Sequence, residues 1–225
     1  MHYEIARYEA IEYMIRYPNG YEPGQRCPVI LHLHGAGTIG QRVEQLREQY
    51  CFQVTETMEN FPFIVVCPLC HERTWFDIFE QLKRFAIYLS QAAFCQPDRF
   101  YLIGGSMGAY TAWQLGMSLP ELFAAMVPIC GGGMYWNAAR LKDMPVWAFH
   151  GAKDPTVLCR ESELMVRYIN QKGGNARLTV YPNNRHDAWS DTYRNPAVYE
   201  WLLSHKKHTA TAAEDTYSNN PKQFG

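Results

Sequence analysis

Three residues of this chain have the types and positions needed for acyl transfer through a serine nucleophile. Gly104-Gly105-Ser106-Met107-Gly108 reads G-x-S-x-G and lies between an apolar run, Phe100-Tyr101-Leu102-Ile103, and a helical pattern. A serine on such a sharp strand-to-helix turn sits in a strained backbone conformation that tolerates only small neighbours. In return its hydroxyl stands clear of the sheet, where the N–H groups and positive dipole end of the next helix face the reacting atom. An ordinary glycine-rich turn is the plainer alternative, and the strand before and helix after it favour the nucleophile.

A serine hydroxyl is a weak nucleophile at neutral pH and needs a base within hydrogen-bond reach. His186, in Pro182-Asn183-Asn184-Arg185-His186-Asp187-Ala188-Trp189, follows the last strand-like run and can take the serine proton and return it to a leaving group. Asp154, in Gly151-Ala152-Lys153-Asp154-Pro155, follows the run ending at His150 and can fix the imidazole tautomer. Taken singly, Asp154 reads as a turn residue before proline and His186 as a polar loop residue. The coincidence of all three after successive strand ends favours a triad, because ligand sites lie outside the carboxyl ends of parallel strands. Asp187 and Asp191 compete as the acid but sit too close in sequence to reach around the ring.

Negative charge developing on a substrate oxygen needs backbone donors, each worth about 3 kcal/mol of barrier. One is expected at Met107, directly after the serine, and the other at Ala36, in the turn His34-Gly35-Ala36-Gly37. His32 and His34 point to opposite faces of their strand, so they cannot share a metal and read as turn supports. Trp75, Trp136 and Trp189 fall in loops on the expected active edge and are candidate substrate-binding residues, with core packing the alternative for each. Cys67-Pro68-Leu69-Cys70-His71 matches C-x-x-C-H, but it ends a strand-like run, which argues against haem attachment or a redox pair.

The elements that must position these groups alternate along the chain. Strands are expected at residues 10–17, 28–34, 63–67, 100–103, 123–130, 145–150 and 178–181, with helical spacing at 42–58, 77–94, 161–171 and 197–206 and after Ser106. Such alternation implies an α/β fold with a mostly parallel twisted sheet and helices on both faces. A length of 225 residues suits one domain, expected over 1–208, and the small polar segment 209–225 reads as a tail. Gly131 to Arg140 is a short loop that could cover the site, and no insertion is long enough for a separate cap domain.

A net charge of −1 gives no electrostatic reason to expect nucleic acid or a membrane surface as a partner. The charged start, Met1-His2-Tyr3-Glu4-Ile5-Ala6-Arg7, lacks the apolar core of a signal peptide, and the seven cysteines read as reduced thiols, so a cytoplasmic setting is expected. Neither a cofactor nor a metal is expected, and the oligomeric state is not legible.

With Leu31-His32-Leu33-His34-Gly35, the Ser106 turn, His150-Gly151-Ala152-Lys153-Asp154 and His186-Asp187-Ala188-Trp189 in register, the chain resembles the α/β-hydrolase superfamily. It is most similar to the small cap-less esterases, namely the polyhydroxybutyrate depolymerase and feruloyl esterase-like group, and to predicted peptidases related to the prolyl oligopeptidase catalytic domain. Tyr199-Glu200-Trp201-Leu202-Leu203 adds to the likeness, which covers Pro28 to Ser204. The N-terminal strands are fewer than in larger relatives, and no β-propeller precedes the domain. The resemblance implies a serine hydrolase with the chain order Ser, Asp, His, acting on a small-molecule ester. A peptidase shares the same triad, and a catalytically dead fold used as a binding module is the reading from another class.

Overall fold

The computed structural model describes residues 2–207. The expected tail at 209–225 therefore lies outside the described residues. Eight strands form one sheet in the order β1-β2-β4-β3-β5-β6-β7-β8. They are β1 (Tyr3–Tyr8), β2 (Ile11–Arg16), β3 (Cys27–Leu33), β4 (Ile64–Pro68), β5 (Cys95–Gly105), β6 (Ala125–Ile129), β7 (Val146–Gly151) and β8 (Ala176–Tyr181). The pairs β1·β2 and β2·β4 are antiparallel and every other pair is parallel. The central parallel stretches, residues 29–33 of β3, Ile64–Pro68, residues 100–105 of β5 and Ala125–Ile129, are buried at every position because helices cover both faces.

The helices are α1 (Tyr50–Glu56), α2 (Phe79–Ser90), α3 (Met107–Ser118), α4 (Cys159–Gln171), α5 (Trp189–Arg194) and α6 (Pro196–Ser204). Alternation along the strands sorts the core into two layers. Val29, Leu31, Phe100 and Leu102 pack with Leu82 and Phe85 of α2, Trp113 of α3 and Met165 of α4. Ile30, Tyr101 and Ile103 face the other way, onto Phe52 of α1, Tyr193 of α5 and Leu202 of α6. Among the described residues no helix is long and apolar enough to cross a membrane.

Three departures from the sequence expectations have physical reasons. The edge strand β1 escapes a hydrophobicity reading because all six of its residues are only partly buried or exposed and most are polar or aromatic; it pairs through a tight turn in which Glu9 takes a φ of 51°. The helical stretch at 42–58 is two pieces, a 3-10 segment at Val43–Glu48 and α1, because Gln49 between them is extended at φ −62°, ψ 135°. The short α5 directly after the histidine loop was not expected either, since its six residues are too few for a periodic signal.

Candidate active site

The site is built at the carboxyl ends of β3, β5, β6, β7 and β8. At the end of β5 the chain reverses into α3 through Ser106, held at φ 53°, ψ −117°. Such a conformation costs about 1–3 kcal/mol and persists only where its surroundings over-determine it. Here they do. The Ser106 N–H donates to Ile129 O at 2.9 Å, tying the turn to β6. A Cβ on Gly104 would lie 2.2 Å from Gly108 O, and one on Gly108 would lie 2.0 Å from Leu33 O. Both glycines are therefore demanded by close packing of helix start on strand. Gly105 is different: a Cβ there would meet only the Tyr193 hydroxyl, at 3.9 Å.

The loops after β7 and β8 are stitched together. A Cβ on Gly151 would fall 2.0 Å from Arg185 O, and Lys153 N–H donates to Asn184 O at 3.0 Å. This crossing brings Asp154 and His186 side by side. Asp154 Oδ2 accepts from His186 Nδ1 at 2.7 Å, and His186 Nε2 faces Ser106 Oγ at 2.8 Å. Because the Asp154 carboxylate accepts from Nδ1–H and so keeps the proton on that nitrogen, Nε2 is left with the lone pair that the Ser106 hydroxyl requires.

Burial alone would push the Asp154 carboxyl up, but hydrogen bonds from His186, Val157 and Thr156 outweigh it and hold the group below the usual carboxylate range. The Thr156 and Val157 N–H groups both donate to Oδ1, at 2.8 and 3.0 Å. The rival acids are committed elsewhere: Asp187 accepts from Ser190 N–H and Oγ–H, and Asp191 from Asn184.

Two residues without a sequence signal brace this pair. His150, fully buried at the end of β7, directs Nε2 at Val157 O (2.9 Å) and Asp154 Oδ2 (3.3 Å), both acceptors, so that nitrogen carries a proton. Its Nδ1 meets Ser162 Oγ of α4 at 2.8 Å. Cys130, just past β6, has a left-handed φ of 54°, and its thiol donates to His186 O at 3.0 Å. Cys130, His150 and Asp154 bring ligand-type atoms within 4.8 Å of one another. All three are engaged in the hydrogen bonds just described. Cys130 holds the His186 backbone and His150 faces the Asp154 carboxylate, so the two brace the pair.

Beside Ser106 opens a cleft of about 410 Å³, within the range of small-molecule sites. The turn after β3 forms one wall, and a Cβ on Gly35 would lie 3.5 Å from Ser106 Cβ. Ala36 begins a short 3-10 segment and Met107 begins α3, so the N–H of each lacks a partner within its own helix. His34 supports the turn from below: its Nε2 accepts from Cys70 N–H at 3.0 Å and its Nδ1 approaches Gly35 O at 2.8 Å. Cys67 and Cys70 are buried free thiols whose pKa values burial raises.

Of the three tryptophans, only Trp189 lines the cleft, with its ring perpendicular to His186 at 5.3 Å. Trp75 is a correction to the sequence reading: it is fully buried, and its Nε1 donates to His34 O at 3.0 Å, so it is core beneath the turn. Trp136 is a second correction, 68% exposed on a 3-10 segment that packs toward α4 and lies outside the cleft lining. Gly131 to Arg140 does not cover the site. Gly132 and Gly133 press on Glu161, Trp113 and Met165, whereas Gln49, Tyr50 and Cys51 wall the cleft.

Residues 69–224 match the family model described as the dienelactone hydrolase family. Among solved structures, one described as a thermostable esterase is 28% identical with a TM-score of 0.74; the alignment covers 91% of this chain and 63% of that one. The chain thus spans less than two thirds of that esterase. Est1E from Butyrivibrio proteoclasticus is 14% identical with a TM-score of 0.69, covering 90% of this chain and 98% of that one, and shows the shared fold alone. No curated protein matches.

Proposed function

The chain belongs to the dienelactone hydrolase family, a group within the α/β-hydrolase superfamily, and on that basis we propose that it is a serine hydrolase cleaving carboxylic esters through an acyl-Ser106 intermediate. The observation that carries the proposal is the unbroken series Ser106 Oγ–His186 Nε2 at 2.8 Å and His186 Nδ1–Asp154 Oδ2 at 2.7 Å on a strained turn.

In the proposed reaction Ser106 Oγ attacks the ester carbonyl as its proton passes to His186 Nε2. The resulting imidazolium is stabilised by the Asp154 carboxylate, and the oxyanion is received by the N–H groups of Met107 and Ala36. Collapse breaks the bond to the alcohol oxygen, which takes the proton from Nε2 and leaves. Water then attacks the acyl-Ser106 carbonyl, giving its proton to His186, and the second collapse returns that proton to Ser106 Oγ and frees the carboxylic acid. Among the described residues nothing caps the cleft, so few remote contacts can align an amide whose poor leaving group needs accurate protonation. Short p-nitrophenyl esters, acetate to butanoate, should therefore be cleaved with kcat/KM at least about a hundredfold above matched aminoacyl-anilides, a gap of about 2.7 kcal/mol. Steady-state assays of both series check this, and an anilide equal to the best ester would move the substrate class to peptides.

A further inference from the structure

Two phenol side chains, Tyr50 and Tyr193, line the cleft beside Ser106. Tyr193 sits on α5 one turn beyond Trp189 and is only 5% exposed. Its hydroxyl lies 2.6 Å from His32 Nε2, while His32 Nδ1 faces Cys67 Sγ at 3.5 Å. Burial pushes His32 down to about 3 and the Tyr193 and Cys67 groups well up, so the series Cys67–His32–Tyr193 is uncharged at neutral pH. A neutral imidazole offers one N–H and one lone pair. His32 therefore engages one capacity of the Tyr193 hydroxyl, as donor or as acceptor, and leaves the other open. The Tyr50 hydroxyl is buried and has no partner among the described residues. Buried hydroxyls are normally paired, so the open capacity of Tyr193, whose hydroxyl lies 3.9 Å from where a side chain on Gly105 would begin, points to a ligand that supplies a polar oxygen.

Directions within the cleft assign that oxygen. The leaving group must approach His186, where Trp189 stands edge-on. The oxyanion must face the start of α3 and the turn after β3. The direction left for the acyl chain crosses Gly105, the residue preceding Ser106, whose missing side chain leaves space toward the Tyr193 hydroxyl. Packing does not explain a glycine there, since nothing else lies within 4 Å of an added Cβ.

We propose that Tyr193, held by His32 across Gly105 from the nucleophile, forms a polar acyl subsite, and that the substrates are esters of short acids whose acyl chain carries a hydroxyl or ether oxygen. The proposal rests on Ser106 being the nucleophile of an ester hydrolase. Its test compares isosteric p-nitrophenyl esters, 3-hydroxypropanoate and methoxyacetate each against butanoate, with kcat/KM divided by the alkaline hydrolysis rate of the same ester. The expected result is a preference of about tenfold or more, a typical worth for one well-placed hydrogen bond in a site: for 3-hydroxypropanoate alone where the Tyr193 O–H is given to His32, and for both oxygenated chains where His32 donates and the Tyr193 O–H is open. That preference should fall to near unity in Tyr193→Phe, which removes the hydroxyl, and also in Gly105→Val, which fills the space between the nucleophile and the hydroxyl. No preference in the wild type, or one that survives Tyr193→Phe and Gly105→Val, would overturn the subsite. So would a preference seen only when the oxygen is placed in the alcohol moiety. Absence of turnover on every ester would instead overturn the hydrolase reading, and the subsite with it.

Discussion

Replacing Asp154 by asparagine should lower kcat for butanoate esters by about four orders of magnitude while the protein remains folded. The side-chain oxygen that accepts from Thr156 and Val157 N–H survives the change. What is lost is the acceptor facing His186 Nδ1: an amide NH2 there favours the opposite tautomer, which turns an N–H toward Ser106 and leaves no base. Steady-state kinetics beside a thermal melt separate the two effects. Near-full activity in Asp154→Asn would remove Asp154 from the mechanism, and the hydrogen bonds already made by Asp187 and Asp191 leave neither an easy replacement.

The sign of the pH dependence follows from the same contacts. Asp154 has a folded pKa below its unfolded value, which is about 3.9. Its contribution to stability is therefore complete above that unfolded value and disappears as pH falls through the lower folded one. The carboxylate thus still orients His186 at pH 5, and loss of activity between pH 5 and neutrality belongs to other groups.

The second large effect is on folding. Gly108→Ala would place a methyl carbon 2.0 Å from Leu33 O and 2.8 Å from His34 O, both backbone atoms at the end of β3. No rotamer relieves that contact, so α3 must move off the sheet and take the Ser106 turn with it. The expected loss is about 4 kcal/mol or more, at the extreme of single-substitution effects, read from urea midpoints. Gly105→Ala, with nothing nearer than 3.9 Å, should cost far less stability. Equal destabilisation by the two would contradict the packing account of the turn.

The candidate site was legible in the sequence where each candidate residue follows a strand-like run. Ser106, Asp154 and His186 stand after β5, β7 and β8, and parallel strands bring such ends to one edge. Gly104 and Gly108 were legible too, because a strained strand-to-helix turn needs them. What failed depended on contacts remote in sequence. Trp75 and Trp136 both sit in loop-like stretches, yet one lies under the His34 carbonyl and the other faces solvent. The roles of Cys130 and His150 arise only where three loops meet, and neither residue type signals a brace for an acid-base pair. Gly151 reads as a strand-end turn residue, whereas the Asn184–Arg185 backbone crossing above it is what excludes a side chain.

The central claim, that Ser106 is a nucleophile made reactive by its setting, is tested most directly by a fluorophosphonate probe on the full chain, read by intact mass and peptide mapping. The account predicts one adduct, located on Ser106, absent in Ser106→Ala and greatly slowed in Asp154→Asn. An adduct on any other residue, or labelling that persists in Ser106→Ala, would contradict it.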